Sequence, residues 1–204
     1  MEQDGHNSPR IDLFFPVTGS ELPVDHGYQL FAALARALET PSNTWLHDSD
    51  AFGIHRIRGR YLGQGRLSVP PGARLGIRLP AAFIPCWLPL AGKHLLVGND
   101  RLAVGIPVPY ALKPASNLYS HLVTTRNGHD ESRFDAEISR QLEALEINAR
   151  FARGPRRTFR AKEKQIVAYT LWVSDLTAAG SIRLQEMGLG GRRKLGCGLF
   201  VPEE

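Results

Sequence analysis

Cysteine is scarce in this chain. Its 204 residues include two, Cys86 and Cys197, which form neither a disulfide framework nor a metal-ligand spacing. Both read as reduced thiols of a cytoplasmic protein. No apolar run is long enough to span a bilayer, so no membrane partner is expected. The polar start, Met1 to Pro9, lacks a signal-peptide core, and residues 1–9 are expected to form a flexible N-terminus. Histidines and carboxylates show no H-E-x-x-H spacing, so no metal or other cofactor is expected. No serine or cysteine lies in a recognisable nucleophile motif. Two phosphate fingerprints also fail. Gly188 and Gly190 begin a G-x-G-x-x-G pattern, but Arg193 holds the third glycine position. Gly191 and Gly196 have P-loop spacing, but Cys197 stands where the lysine belongs. Too few residues follow for the helix that either motif needs.

What is present is a packable core and a concentrated positive charge. Hydrophobic residues make up 43% of the chain and the net charge is +5. Between Ala149 and Lys164, seven cations (Arg150, Arg153, Arg156, Arg157, Arg160, Lys162, Lys164) face one acid, Glu163, a net of +6. The rest of the chain is therefore about neutral. A second cluster, Arg192-Arg193-Lys194, is flanked by Gly188, Gly190, Gly191, Gly196 and Gly198. Glycine lets a backbone approach a ligand closely, and cations at the crown of such a loop attract phosphate. The plainer reading is a glycine-rich turn before an edge strand.

Periodicity organises the chain into two halves. Arg10–Val17 reads as a strand. Asp25 can cap a helix over Tyr28–Leu38, ended by Pro41 and Asn43. Phe52–Leu62, Arg66–Val69 and Arg74–Leu79 are β-like. Ala81–Leu90 holds Pro85 and Pro89, which allow short turns of helix but not a long one. Leu95–Val108 reads as a hairpin turning at Gly98-Asn99-Asp100. In the second half, Leu118–Thr125 is strand-like and Phe134, Ile138, Leu142 and Leu145 mark an amphipathic helix. Thr158–Val173 reads as one long strand, Ser181–Met187 as a helix capped by Ser181, and Leu199–Val201 as the last strand. Both halves fit β-α-β-β-α-β, the first loosely. The expected fold is α+β: two tandem ferredoxin-like (βαββαβ, RRM-like) domains with antiparallel sheets, over residues 10–112 and 113–204. Along a single basic strand, Thr158, Arg160, Lys162 and Lys164 would share one face about 7 Å apart, near the phosphate spacing of a nucleic acid strand. A charged edge strand that blocks aggregation is the alternative.

A duplicated ferredoxin-like plan ending in G-x-G-G-[basic]-x-G-x-G-[apolar] resembles the repeat-associated RNA-binding superfamily of CRISPR systems. Within it, the chain is most similar to the Cas endoribonucleases that cut CRISPR precursor RNA inside each repeat. Val24-Asp25-His26-Gly27-Tyr28-Gln29-Leu30-Phe31 opens the first helix, and Thr44-Trp45-Leu46-His47 follows it. In several members a histidine in this aromatic-Leu-His setting is the catalytic base, so the resemblance implies that role for His47, with His26 second. Some relatives use a lysine just past that histidine, but this chain has none before Lys93. The positive stabiliser would then be an arginine, Arg36, Arg56 or Arg58, and the resemblance implies Arg58 and Tyr28 as the further catalytic residues.

The resemblance implies metal-independent cleavage by the RNA's own 2′-hydroxyl, giving a 2′,3′-cyclic phosphate. A neutral imidazole, with an ordinary pKa near ~6.5, suits removal of the 2′ proton. It further implies two kinds of partner: CRISPR repeat RNA as a stem-loop, and the other subunits of a CRISPR effector (surveillance) complex. RNA contacts are expected from Arg153, Arg156, Arg157, Arg160, Lys162, Lys164, Gly190, Gly191, Arg192, Arg193 and Lys194, with Tyr61 or Phe159 as stacking surfaces. His55 alternates with apolar residues and is expected to face solvent or RNA. The alternative function is a non-catalytic RNA-binding subunit of such a complex.

Overall fold

The computed structural model describes residues 8–39, 45–162 and 164–203. They form two compact units, Met1–Ala111 and Leu112–Glu204.

In the first unit, β1 (Arg10–Thr18) is the spine of an antiparallel sheet. It pairs with β6 (Arg74–Pro80) along one edge; along the other it pairs with β9 (Val108–Ala111) and, at Val17 and Thr18, with β8 (Asp100–Val104). The sheet extends outward through β3 (Gly53–Ile54) and β7 (His94–Val97). Alternation sends Leu13, Phe15 and Val17 to the core with Leu75, Ile77 and Leu79. The helix α1 (Gly27–Leu38) packs beside β7 and buries Leu30, Phe31 and Leu34. A small separate sheet joins β2 (Glu21–Pro23), β5 (Arg66–Ser68) and β4 (Arg60–Gly63).

The prolines decide the second helical segment. A 3-10 turn at Ala81–Phe83, the four-residue α3 (Ile84–Trp87) and a second 3-10 turn at Leu88–Leu90 follow one another, with Pro85 and Pro89 in the first turns. There the missing N–H would have no partner anyway. Trp87 is fully buried and packs edge-on against Trp45 and Phe52, at 5.4 and 5.1 Å between ring centroids. This aromatic cluster fixes α2 (Trp45–Asp48). The β7–β8 hairpin turns at Gly98 with φ 66°, as expected.

The second unit runs β10 (Leu118–Val123), α4 (Glu131–Ala144), β11 (Arg150–Ala161), β12 (Lys164–Ser174), α5 (Ala178–Met187) and β13 (Val201–Pro202). Its strand order, β11-β12-β10-β13, is the full antiparallel ferredoxin-like arrangement. Phe134, Ile138 and Leu142 of α4 pack on Val167, Tyr169, Leu171 and Val173.

Local expectations need correction in several places. His26, not Asp25, is the N-cap of α1, and it makes no side-chain cap bond. The helix ends at Leu38; Pro41 and Asn43 lie outside the described residues. Within Phe52–Leu62 only Gly53–Ile54 and Arg60–Gly63 are strands. The helix α5 starts earlier than its apolar residues indicate: Thr177 caps it by accepting from the Gly180 N–H at 3.0 Å, while Ser181 is buried inside it. The last strand lies at Val201–Pro202 rather than Leu199–Val201. The long run Thr158–Val173 is not one strand. It reverses after Ala161, which pairs with Lys164, and Lys162 takes a left-handed φ of 55°.

Candidate functional site

Trp45 and Leu46 are the anchors of α2, Leu46 being fully buried, and the next residue, His47, turns outward with its side chain 55% exposed. Glu39, the C-cap residue of α1, holds it with both carboxylate oxygens. His47 Nδ1 lies 2.8 Å from Glu39 Oε2, and the His47 backbone N–H donates to Oε1 at 3.1 Å. The Glu39 side chain is 8% exposed. Phe31 stands edge-on to the imidazole at 5.0 Å. A ring that donates Nδ1–H to a carboxylate carries its basic lone pair on Nε2.

His26 has a different environment. It is fully buried; its Nδ1 donates to the Pro23 carbonyl at 2.9 Å and its Nε2 accepts the Ile57 N–H at 3.1 Å. Burial, and then the charge of Arg56, pushes its pKa down to about 4. The ring is therefore neutral, with both nitrogens spent within the fold. It clasps the start of α1, where Tyr28 is half-buried, to the segment 55–59, on which Arg58 is exposed. Arg56 on that segment donates to the Val24 carbonyl and lies 3.8 Å from Asp25.

His55 is turned into the fold rather than toward solvent, its side chain 14% exposed. Its Nε2 donates to Asp12 Oδ1 at 2.9 Å, and Arg78, 1% exposed, grips the same carboxylate through Nε and Nη2 at 2.9 and 2.8 Å. Burial disfavours the Asp12 charge, but the His55 and Arg78 hydrogen bonds outweigh it and hold the carboxyl well below its usual range. Burial likewise lowers the His55 pKa. Neither this triad nor Glu39 is evident from the sequence. Asp12↔Arg78 pairing appears only once β1 is in register with β6.

In the second unit the cations lie on a hairpin instead of one stripe. A bulge at Gly154 and Pro155 resets the alternation between Arg153 and Arg156. Beyond it, Arg156, Thr158 and Arg160 share one face; Arg157, Phe159 and Ala161 share the other, with Lys164 opposite Ala161. Arg156, Arg157, Arg160, Lys162 and Lys164 are all exposed. Arg153 is spent internally. It bonds Asp135 at 2.9 Å and Glu131 at 3.0 Å and lies over the Tyr169 ring at 5.1 Å. Phe159 is 5% exposed and buried beside Cys197, so it offers no stacking surface, whereas Tyr61 is 63% exposed.

The glycine loop packs on the protein's own backbone. A Cβ on Gly188 would lie 2.3 Å from the Gly198 carbonyl oxygen, and one on Gly190 would lie 2.2 Å from that of Thr124. The Gly190 N–H donates to Gln141 Oε1 at 2.7 Å and the Gly191 N–H to the Thr124 carbonyl at 3.1 Å. The two amides expected to meet phosphate are thus turned inward. What the loop presents is Arg192, exposed at a left-handed φ of 65°, then the half-buried Lys194 and Arg193, whose Nη1 donates to the Met187 carbonyl at 2.5 Å. Among the described residues, no three His, Cys, Asp or Glu side chains stand together as a metal-ligand set. No described helix is long and apolar enough to cross a membrane.

These features define an α+β protein of tandem ferredoxin-like architecture with a histidine–carboxylate pair in one unit and a basic hairpin in the other. Comparison with known proteins agrees. The family model for Cas6 (Cas6 Crispr) matches residues 11–204. A CRISPR-associated endonuclease Cas6 from Myxococcus xanthus (strain DK1622) is 39% identical over 199 residues, covering 94% of this chain and 81% of that protein. Among solved structures, a CRISPR-associated protein Cas6 superposes with a TM-score of 0.70 at 15% identity, covering 96% of this chain and all (100%) of that one. An RAMP protein described as binding different RNA substrates also reaches 0.70, at 14% identity, over 95% of this chain and 100% of that one. The chain belongs to the Cas6 family of CRISPR-associated endonucleases.

Proposed function

We propose that this protein cleaves CRISPR precursor RNA within its repeats, by metal-independent transphosphorylation with His47 as general base. The observation that carries the reading is the outward-facing imidazole whose Nδ1 is held by Glu39. His47 Nε2 takes the proton of the ribose 2′-hydroxyl. The 2′ oxygen attacks phosphorus, the P–O2′ bond forms and the P–O5′ bond breaks. The 5′ oxygen leaves with a proton from water, the imidazolium returns its proton to the hydroxide so formed, and the products are a 2′,3′-cyclic phosphate and a 5′-hydroxyl. The reaction consumes no water overall. Arg58, an exposed cation, is assigned to the charge that builds on the phosphate, with Tyr28 assisting. Much of the acceleration comes from holding attacking and leaving oxygens in line.

The RNA-binding surface we assign is narrower than the sequence indicates. Arg156, Arg157, Arg160, Lys162, Lys164 and Arg192 supply phosphate contacts, with Arg193 and Lys194 beside them. Arg153, Gly190 and Gly191 support those residues from within the fold, and His26 supports the segment that carries Arg58. The RNA is the repeat stem-loop, recognised through backbone and shape, and the bound product joins the other subunits of an effector complex. The test pairs cleavage with binding: His47→Ala should bind repeat RNA as wild type does and fail to cut it in EDTA. Wild-type protein that binds the repeat but never cuts would instead identify a non-catalytic RNA-binding subunit.

A further inference from the structure

We infer that Glu39 is a positioning residue for His47, fixing the tautomer and the direction of its ring; this rests on the reading of His47 as the base. One carboxylate receives two donors from one residue, the ring Nδ1–H at 2.8 Å and the backbone N–H at 3.1 Å. Two bonds to two atoms of His47 fix an orientation, where one bond would leave a pivot. The Glu39 side chain is 8% exposed and that of His47 is 55% exposed, so the carboxylate is buried while the ring it holds keeps access to solvent. Phe31, edge-on at 5.0 Å, walls one side of the imidazole.

The location of Glu39 strengthens the inference. It is the C-cap of α1, where the helix dipole is negative and a carboxylate is disfavoured. The helix end does not require this side chain, because the Glu39 backbone N–H closes the last turn on the Ala35 carbonyl at 2.8 Å. What the carboxylate does there is hold His47. It keeps the proton on Nδ1 so that the lone pair on Nε2 can accept one, and it steadies the imidazolium that results. Isolated imidazole side chains favour the opposite tautomer, with the proton on Nε2, which cannot act as a base from that edge.

The experiment uses the full chain with Glu39→Ala, Glu39→Gln and His47→Ala. Long-range ¹⁵N NMR on histidine-labelled protein reads the His47 tautomer, assigned by the signal missing in His47→Ala. Single-turnover cleavage and repeat-RNA affinity are measured alongside. Wild type should show Nδ1–H. Glu39→Ala should shift His47 toward Nε2–H and slow cleavage by about 10- to 100-fold with unchanged RNA affinity. Glu39→Gln has a single acceptor oxygen, which the His47 backbone N–H takes, so its amide N–H₂ meets Nδ1; this variant should also favour Nε2–H and slow cleavage at least as much as Glu39→Ala. Glu39→Ala cutting at the wild-type rate, or with its His47 tautomer unchanged, would overturn the positioning role while leaving the base reading intact. His47→Ala cutting at the wild-type rate would overturn the base reading and the positioning role with it.

Discussion

Acidification from pH 7 to 5 should destabilise the first unit by about 2 kcal/mol through His26 alone. In the native state burial holds this ring neutral, its pKa pushed from 6.5 down to about 4. In the unfolded chain it regains its ordinary value. Between those two values the unfolded state binds the extra proton, so stability falls as pH falls, beginning near 6.5 and ending near 4. The full span corresponds to about 3 kcal/mol, of which about 2 is lost by pH 5. His55 acts with the same sign, because burial lowers its pKa too. Asp12, with its carboxyl held low, adds its loss only as pH falls below the ordinary carboxylate range. Urea unfolding at several pH values between 7.5 and 4.5, followed by tryptophan fluorescence in a Trp172→Phe background, reads this directly, since the remaining Trp45 and Trp87 both lie in the first unit. His26→Gln keeps one donor for Pro23 and one acceptor for Ile57 without a titrating ring, and should remove the His26 share of the slope, leaving that of His55. A wild-type midpoint unchanged between pH 7 and 5, or a slope that survives His26→Gln in full, would refute the reasoning.

Other substitutions separate internal from external charge. Arg160→Ala should weaken repeat-RNA binding and reduce the slope of log affinity against log salt by about 0.7–0.9. Arg153→Ala should leave that slope unchanged and lower the melting temperature instead, because its guanidinium is committed to Glu131, Asp135 and Tyr169. Gly188→Ala should lower the melting temperature by roughly 5–10 °C. It would force a Cβ to 2.3 Å from the Gly198 carbonyl oxygen at φ 64°, ψ 179°, a conformation closed to other residues. A Gly188→Ala protein that melts with wild type would show that the loop does not depend on this close approach.

Much of the architecture is legible where local chemistry and tertiary packing agree. The helical spacing of Phe134, Ile138 and Leu142, the proline-broken segment 81–90 and the Gly98 turn all appear as expected. The basic hairpin is not legible in the sequence because its reversal carries no glycine, proline or asparagine; Lys162 takes the left-handed conformation that such residues usually supply. The glycines signal a close backbone approach, but sequence does not reveal whether that approach is to a ligand or to the chain itself. Here it is to the carbonyls of Thr124 and Gly198. The position of His47 after the first helix was visible by family likeness. Its bond to Glu39 was not, since the packing of Trp45 on Phe52 and Trp87 brings them together.

The most direct measurement of the central claim is the chemistry of the RNA ends. Repeat RNA incubated with the protein in EDTA should yield a 2′,3′-cyclic phosphate and a 5′-hydroxyl, and a single 2′-deoxy substitution at the nucleotide before the cut should abolish cleavage without weakening binding. A 3′-hydroxyl with a 5′-phosphate, or continued cutting of the deoxy-substituted RNA, would contradict a mechanism in which the ribose oxygen is the nucleophile and His47 its base.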